Sequence, residues 1–75
     1  MHAFEKYRKD HGLSQAALAA ELGITAAAVT HYETGKRRIS AERAIEYERR
    51  LGGAVTRYEM RPDLFGPSLR QESAA

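Results

Sequence analysis

Residues 15–33 read QAALAAELGITAAAVTHYE, and this stretch decides the fold of the chain. Leu18 and Leu22 lie four residues apart, so they share one face of a helix. Val29 and Tyr32 lie three apart and share a face of a second helix. Gly23 lies between the two and favours the left-handed conformation that ends a helix, because it has no Cβ. The pattern predicts a helix-turn-helix.

The sequence on both sides of this stretch carries start and stop signals for three further helices. Ser14, Thr25 and Ser40 are placed to cap helices two, three and four with their hydroxyl groups. Thr56 followed by Glu59 is a capping-box pattern that predicts a short fifth helix ending before Pro62. The predicted helices cover residues 2–11, 15–22 and 26–34, a segment that starts after Ser40 and ends at Gly52 and Gly53, and residues 56–61. We expect one domain over residues 1–65 and a flexible tail over residues 66–75.

Apolar side chains on these helices define a candidate core and a candidate dimer surface. Phe4 and Tyr7 are predicted to be buried, and Ile39 is predicted to fill the space between helices. Glu48 falls on the apolar face of helix four, where it is either an exposed edge residue or half of a partly buried ion pair. The candidates for an exposed apolar dimer surface are Tyr47, Val55, Tyr58, Leu64 and Phe65. Alternatively, Leu64 and Phe65 fold back to cover the core.

Composition restricts the class of protein. A chain of 75 residues supports one small domain that buries only about 60% of its unfolded surface. The sequence has no cysteine, which excludes disulfides and thiolate metal sites and favours a cytoplasmic protein. No apolar run approaches the roughly 20 residues that span a bilayer, so no membrane partner is expected.

Positive charge is concentrated in one place. The 12 lysines and arginines exceed the 10 acids by little, and the net charge is +2. Lys36, Arg37 and Arg38 nevertheless form an unbroken basic run after the third helix. Such a run is well placed to contact phosphate groups. The alternative is a solvated turn.

The sequence offers no pattern for catalysis or metal binding. His2, His11 and His31 have no paired spacing and no cysteine companions, so no metal is expected. There is no glycine-rich phosphate loop and no recognisable order of serine, histidine and carboxylate. We therefore expect no catalytic residues, no cofactor and no small-molecule ligand, and interpret the chain as a binding protein.

Two stretches resemble known families. SQAALAAELGITAAAVTHYETG resembles the Cro/repressor-type helix-turn-helix proteins of phages and bacteria, with Gln15, Ala19, Gly23 and Val29 at the family's positions. GGAVTRYEMRPDLF is similar to the C-terminal part of the small Cro-like group often called YdaS-like. The resemblance implies an all-α, compact, five-helix lambda-repressor-like DNA-binding domain whose helices 2 and 3 form the helix-turn-helix. Ala26 and Ala27 depart from the family, which often places long polar side chains there.

The resemblance also implies which residues touch DNA, because the second helix of this motif lies in the major groove. The base-contacting candidates are Thr25, Ala26, Ala27, Thr30, His31 and Thr34; the phosphate-contacting candidates are Gln15, Lys36, Arg37 and Arg38. Threonine and histidine can hydrogen-bond to base edges, and alanine methyls can contact thymine. The alternative for the third helix is an alanine-rich helix that merely packs well, and for Gln15 a solvated helix start.

Together these features predict a sequence-specific DNA-binding transcriptional regulator, a Cro-like repressor of a phage, prophage or bacterial gene. Its partners would be double-stranded DNA and a second copy of the chain, with the homodimer bound to a pseudo-palindromic operator in the bacterial cytoplasm or nucleoid. The alternative is an antitoxin-like or other protein-interaction module with the same helical fold. An architectural protein with little sequence preference is disfavoured by the net charge of only +2.

Overall fold

The computed structural model of the chain describes residues 1–66, which form a compact arrangement of six α-helices. The helices are α1 (Ala3–His11), α2 (Gln15–Leu22), α3 (Ala26–Glu33), α4 (Ala41–Arg50), α5 (Arg57–Met60) and α6 (Pro62–Phe65). No strand occurs within residues 1–66, so this part of the chain is all-helical as predicted. None of its helices is long and apolar enough to cross a membrane. The predicted tail lies, apart from Gly66, outside the described residues.

The capping signals predict the starts of α2, α3 and α4 and the end of α2 correctly. The hydroxyl oxygens of Ser14, Thr25 and Ser40 each accept a hydrogen bond from the backbone N–H three residues later. Gly23 ends α2 in the left-handed conformation at φ 74°, which a residue with a Cβ adopts only under strain. These short-range contacts fix the ends of α2, α3 and α4 before any tertiary contact is considered.

The prediction of five helices is wrong, because the chain continues into α6 after Pro62. The Thr56 and Glu59 capping box forms as predicted, but α5 ends at Met60. Pro62 is the first residue of α6 rather than only a terminator of α5. Proline suits this position since the first N–H groups of a helix need no intrahelical acceptor, and its φ is already helical.

The core is built from apolar side chains of every helix except α6. Its buried members are Phe4, Leu18, Ala19, Leu22, Ala28, Val29, Tyr32, Ile39, Ala44, Tyr47, Leu51, Val55 and Met60. Ile39 is 2% exposed, which confirms its predicted position between helices. The ring of Phe4 lies 5.9 Å from that of Tyr32 and 6.0 Å from that of Tyr47. Tyr7, also predicted to be core, is only partly buried against this cluster.

Two of the residues predicted for a dimer surface are instead part of the core. Tyr47 is 1% and Val55 3% exposed, so neither is available to a partner. The buried face of α4 follows Ala44 and Tyr47 and continues to Leu51 just after the helix, whereas Ile45 is 37% exposed. Tyr47 can be buried because the tyrosine side chain combines a large apolar ring with a hydroxyl group that finds a polar partner inside the fold.

The remaining surface candidates lie around α5 and α6. Leu64 stays 51% exposed. Phe65 packs partly against the core, and its ring meets that of Tyr58 edge-on at 6.2 Å. Leu64 therefore does not fold back, whereas Phe65 does.

Glu48 forms the partly buried ion pair that was one of the two alternatives for it. Its Oε1 accepts hydrogen bonds from Nε of Arg57 at 2.6 Å and from the backbone N–H of Arg57 at 3.3 Å. The pair joins α4 to the first residue of α5 and explains why a carboxylate is tolerated on this side of α4.

A network of polar side chains around Glu33 joins α1, α2 and α3. The carboxylate of Glu33 accepts from Nε and Nη2 of Arg8 at 2.7 and 2.9 Å, and from Nε2 of Gln15 at 2.9 Å. Oε1 of Gln15 accepts from the hydroxyl of Thr30 at 2.8 Å. Nη1 of Arg8 donates to the carbonyl of Leu13 at 3.2 Å, which adds the turn between α1 and α2.

The Glu33 carboxylate is ionised in this network. Burial alone would raise the pKa of Glu33, but the hydrogen bonds from Arg8 and Gln15 together with the positive charge of Arg8 outweigh it and lower the pKa. Because the folded chain binds this proton less readily than the unfolded chain, the network stabilises the fold above the ordinary pKa of 4.5. This stability is lost as the pH falls through the lowered pKa.

We expect Glu33→Gln to lower the free energy of unfolding by about 2 kcal/mol, because it leaves the partly buried guanidinium of Arg8 without a counter-charge. Denaturant unfolding at pH 7 measures the change. The control is Glu5→Gln, which removes a surface pair with Lys9 and should cost less than about 1 kcal/mol. Equal losses in the two variants would contradict the role assigned to Glu33.

We also expect the fold to lose stability through His2 as the pH falls below the ordinary histidine pKa of 6.5. Nδ1 of His2 accepts the backbone N–H of Phe4 at 3.0 Å and caps α1, which only the neutral ring can do. Burial, opposed by the charge of Glu33, lowers the pKa of His2. The unfolded chain therefore binds the proton first, and stability falls as the pH drops below the ordinary value of 6.5.

The loss is expected to reach at most about 1 kcal/mol, the typical contribution of a helix N-cap. Thermal unfolding at several pH values measures it. His2→Ser keeps a capping oxygen that does not titrate and should flatten the profile below the ordinary histidine pKa of 6.5. A profile unaltered by His2→Ser would contradict the assignment.

Candidate nucleic-acid interface

The outer side of α3 carries five of the six predicted base-contacting residues. Ala26, Ala27, Thr30, His31 and Thr34 fall within one arc of the helix, opposite the buried Ala28, Val29 and Tyr32. The two alanines and Thr34 are exposed, while Thr30 and His31 are partly exposed. Thr25 stands apart at the N-cap, where its hydroxyl accepts the N–H of Ala28 at 3.1 Å.

The threonine hydroxyl groups on this side are already used as donors within the fold. Thr30 Oγ1 lies 2.8 Å from Oε1 of Gln15 and 3.1 Å from the carbonyl of Ala26. Thr34 Oγ1 donates to the carbonyl of Thr30 at 2.9 Å. Each hydroxyl has a single proton, so the two threonines can offer a base edge only their lone pairs and methyl groups. In this arrangement the predicted hydrogen bond from Thr30 to a base edge is possible only with Thr30 as the acceptor.

Gln15 also uses its side chain inside the fold. Its amide oxygen accepts from Thr30 and its amide nitrogen donates to Glu33. The amide nitrogen carries two protons and donates one to Glu33, so the second N–H is left for the predicted phosphate contact. The backbone N–H groups in the first turn of α2 are further possible phosphate donors at this end.

The charge on α3 is arranged favourably for a polyanion. Glu33 is the one acidic residue of the helix, and its side chain is 5% exposed and paired with Arg8. The outer side of α3 therefore bears no negative charge. A phosphate backbone can approach it without like-charge repulsion.

The predicted basic residues follow directly after α3. Lys36, Arg37 and Arg38 are all exposed. The guanidinium of Arg37 lies 5.8 Å from the centroid of the Tyr32 ring, within range of a cation–π contact. Arg38 lies 4.0 Å from a carboxylate oxygen of Asp63, a long surface contact that leaves its charge largely available.

Arg61 fixes the shape of this basic loop, a role that the sequence reading did not assign. Its Nη1 donates to the carbonyl of Ile39 at 2.6 Å. Its Nε and Nη2 donate to the two carboxylate oxygens of Asp63 at 2.9 and 2.7 Å. These hydrogen bonds lower the pKa of Asp63 to about 2. Arg61 and Asp63, at the start of α6, thus anchor the basic loop. The positions of Arg37 and Arg38 therefore depend on this C-terminal part of the fold.

Two further arginines lie near the turn between α2 and α3. Arg43 lines a cleft there together with Thr25 and Arg37. Arg50 crosses the turn so closely that a Cβ on Gly23 would lie 3.1 Å from its Nη1. Arg43 and Arg50 are seven residues apart and share a face of α4, a signal present in the sequence. The sequence does not show which helix end this face of α4 approaches, because tertiary packing determines it.

Comparison with known proteins places the chain in a family. A family model described as Bacterial toxin YdaS matches residues 10–69, which span α2 to α6. No curated protein and no solved structure gives a significant match. The match confirms the YdaS-like part of the sequence resemblance and covers most of the chain, so the chain belongs to the YdaS family.

Proposed function

We propose that this chain is a sequence-specific DNA-binding regulator of transcription. In this proposal α2 and α3 act as a Cro/repressor-type helix-turn-helix. The outer side of α3 enters the major groove, and the basic loop contacts the flanking phosphates. A protein bound at a promoter blocks access of the polymerase, so repression is the proposed effect.

The observation that carries the proposal is the charge pattern of α3. Its one carboxylate is turned inward and paired with Arg8, while its exposed side is neutral and is followed by three consecutive cations. The inward carboxylate also orients α3 within the fold, and this role alone would not require the exposed side of the helix to be free of negative charge. A helix that faces phosphate would require it, because an exposed carboxylate there would repel the DNA backbone.

Dimerisation on DNA forms part of the proposal. One recognition helix of eight residues can reach only a few base pairs, so two half-sites are needed for useful specificity. The exposed Leu64, with Tyr58 near it in sequence, supplies the apolar surface that remains after Tyr47 and Val55 are assigned to the core.

Selection of binding sites from random DNA, followed by sequencing, tests this function. We expect a two-fold symmetric motif. His31→Ala should relax the preference at one or two positions in each half-site, since a good base contact contributes about 1–3 kcal/mol of discrimination. His11→Ala, at the exposed end of α1, is the matched control and should return the parent motif. Absence of any enriched sequence would contradict sequence-specific binding.

The basic loop formed by Lys36, Arg37 and Arg38 should determine the affinity for DNA rather than the preference for particular base sequences. We expect Lys36→Ala and Arg38→Ala to weaken binding to all sequences alike, and each to reduce the slope of log K against log salt by about 0.9. Titrations at several salt concentrations measure this slope. Lys9→Ala on α1 removes the same charge from another surface and should leave the slope unchanged. If the slopes of the loop variants match that of the parent, the loop does not contact phosphate.

The description of the family as a bacterial toxin favours a second candidate, a protein-interaction module related to toxin–antitoxin systems. Such a module would hold another protein through the helical surface or through the exposed side of α6. Its binding would survive high salt and the loss of Lys36 and Arg38, because apolar contacts depend little on ionic strength. The salt titrations therefore separate the two candidates.

A further inference from the structure

A surface cleft of about 280 Å³ lies between α3 and α4, beside the turn that precedes α3. Its lining includes Thr25, Tyr32, Arg37, Arg43 and Tyr47. The cleft is distinct from the outer side of α3, because Tyr32 belongs to the buried side of that helix. Its size suits a phosphate group with a small substituent, being close to the lower limit of ligand pockets.

The cleft has a positive electrostatic character. Arg37 and Arg43 both line it, and none of its lining residues is acidic. Neither guanidinium forms an ion pair with a carboxylate within residues 1–66, whereas Arg8, Arg50, Arg57 and Arg61 all do. Two unneutralised guanidinium groups in one concave site are a suitable arrangement for binding a phosphate, whose oxygens accept several hydrogen bonds at once.

Two buried tyrosine hydroxyl groups add a hydrogen-bond donor. Tyr32 is 5% and Tyr47 1% exposed, and their hydroxyl oxygens lie 3.5 Å apart. One hydroxyl can donate to the other, but the second proton then needs a different acceptor. Arginine has no acceptor atom, and the hydrogen bonds formed among residues 1–66 supply none to this pair. An anion in the cleft would accept a hydrogen bond from this second proton.

Tyr47 remains a donor over the physiological range. Burial, followed by its hydrogen bond with Tyr32, raises the pKa of Tyr47 to about 12. The positive charge of Arg43 opposes this shift. The Tyr47 hydroxyl therefore keeps its proton at neutral pH.

We propose that this cleft is a phosphate-binding site, in which Arg37 and Arg43 balance the charge and the Tyr32–Tyr47 hydroxyl pair donates a hydrogen bond to a phosphate oxygen. The phosphate comes either from the DNA backbone or from a free phosphorylated small molecule. The first source rests on the proposed DNA binding; the second does not. Both place the ligand against the N-terminal end of α3, where the helix dipole also favours negative charge.

Titration of the isotope-labelled full chain with inorganic phosphate and with adenosine monophosphate, followed by NMR, tests the site without DNA. We expect saturable shifts at the amides of Gly23 and Thr25 and at the side-chain Nε–H groups of Arg37 and Arg43. Chloride at matched ionic strength should not reproduce them. Arg43→Gln should weaken binding about tenfold, since it removes one charge-assisted hydrogen bond.

Arg49→Gln is the matched control. It removes an exposed arginine of the same helix that does not line the cleft, and it should leave phosphate binding unchanged. Arg43 is itself exposed, so both variants are expected to fold. Shifts that chloride reproduces, that do not saturate, or that survive Arg43→Gln unaltered would overturn the proposal.

Binding of DNA at several salt concentrations then identifies the source of the phosphate. If Arg43→Gln lowers the slope of log K against log salt by about 0.9 relative to Arg49→Gln, the site holds a backbone phosphate. If phosphate binds saturably and the slope does not change, the site holds a free phosphorylated ligand. A chain that binds no DNA contradicts the proposed function alone, because the phosphate titration judges the cleft independently.

Discussion

The carboxylate of Glu33 is the constraint on which the arrangement of the first three helices depends. It lies at the C-terminal end of α3 and is held by Arg8 from α1 and Gln15 from α2. A carboxylate in this position needs several donors at once, because burial without them would make its charge too costly to keep. The helices must therefore meet with these side chains in register. A rotation of α3 about its axis would break the network and expose its apolar face.

This network contributes more to orientation than to net stability. Attraction within a buried ion pair is largely offset by the desolvation of both charges, and the burial of Phe4, Leu18 and Val29 supplies the larger driving force. We interpret the polar network as the feature that selects one packing of α3 among several that an alanine-rich helix would permit. Alanine side chains alone fix a helix poorly, since they offer little shape to interlock.

Features of the fold that depend on neighbours in sequence could be predicted, and features that depend on distant partners could not. Ser14, Thr25 and Gly23 act within a few residues of themselves, so their patterns gave the ends of α2 and α3 correctly. Gln15 and Glu33 are 18 residues apart, and no local pattern shows that the glutamine amide is used by the fold. The burial of Tyr47 could not be predicted for a related reason, because its hydroxyl group has a partner only when Tyr32 lies beside it in the fold. Pro62 is compatible with both the end of one helix and the start of the next, and the sequence prediction used only the first of these two signals.

In the candidate site, too, contacts between distant residues could not be predicted. These contacts limit how α3 would read DNA in the proposed complex. The hydroxyl protons of Thr30 and Thr34 are used within the fold, so direct donation to a base edge rests on His31. The methyl groups of Ala26 and Ala27 can distinguish thymine, and sequence-dependent DNA shape can add to this discrimination. In the proposed complex, few base contacts per half-site would mean low specificity for a single chain, while the arginines around α3 would provide affinity for any phosphate backbone. Under the proposed function, pairing of two chains on the DNA is then a physical requirement, because only a second half-site raises specificity without raising non-specific binding to the same extent.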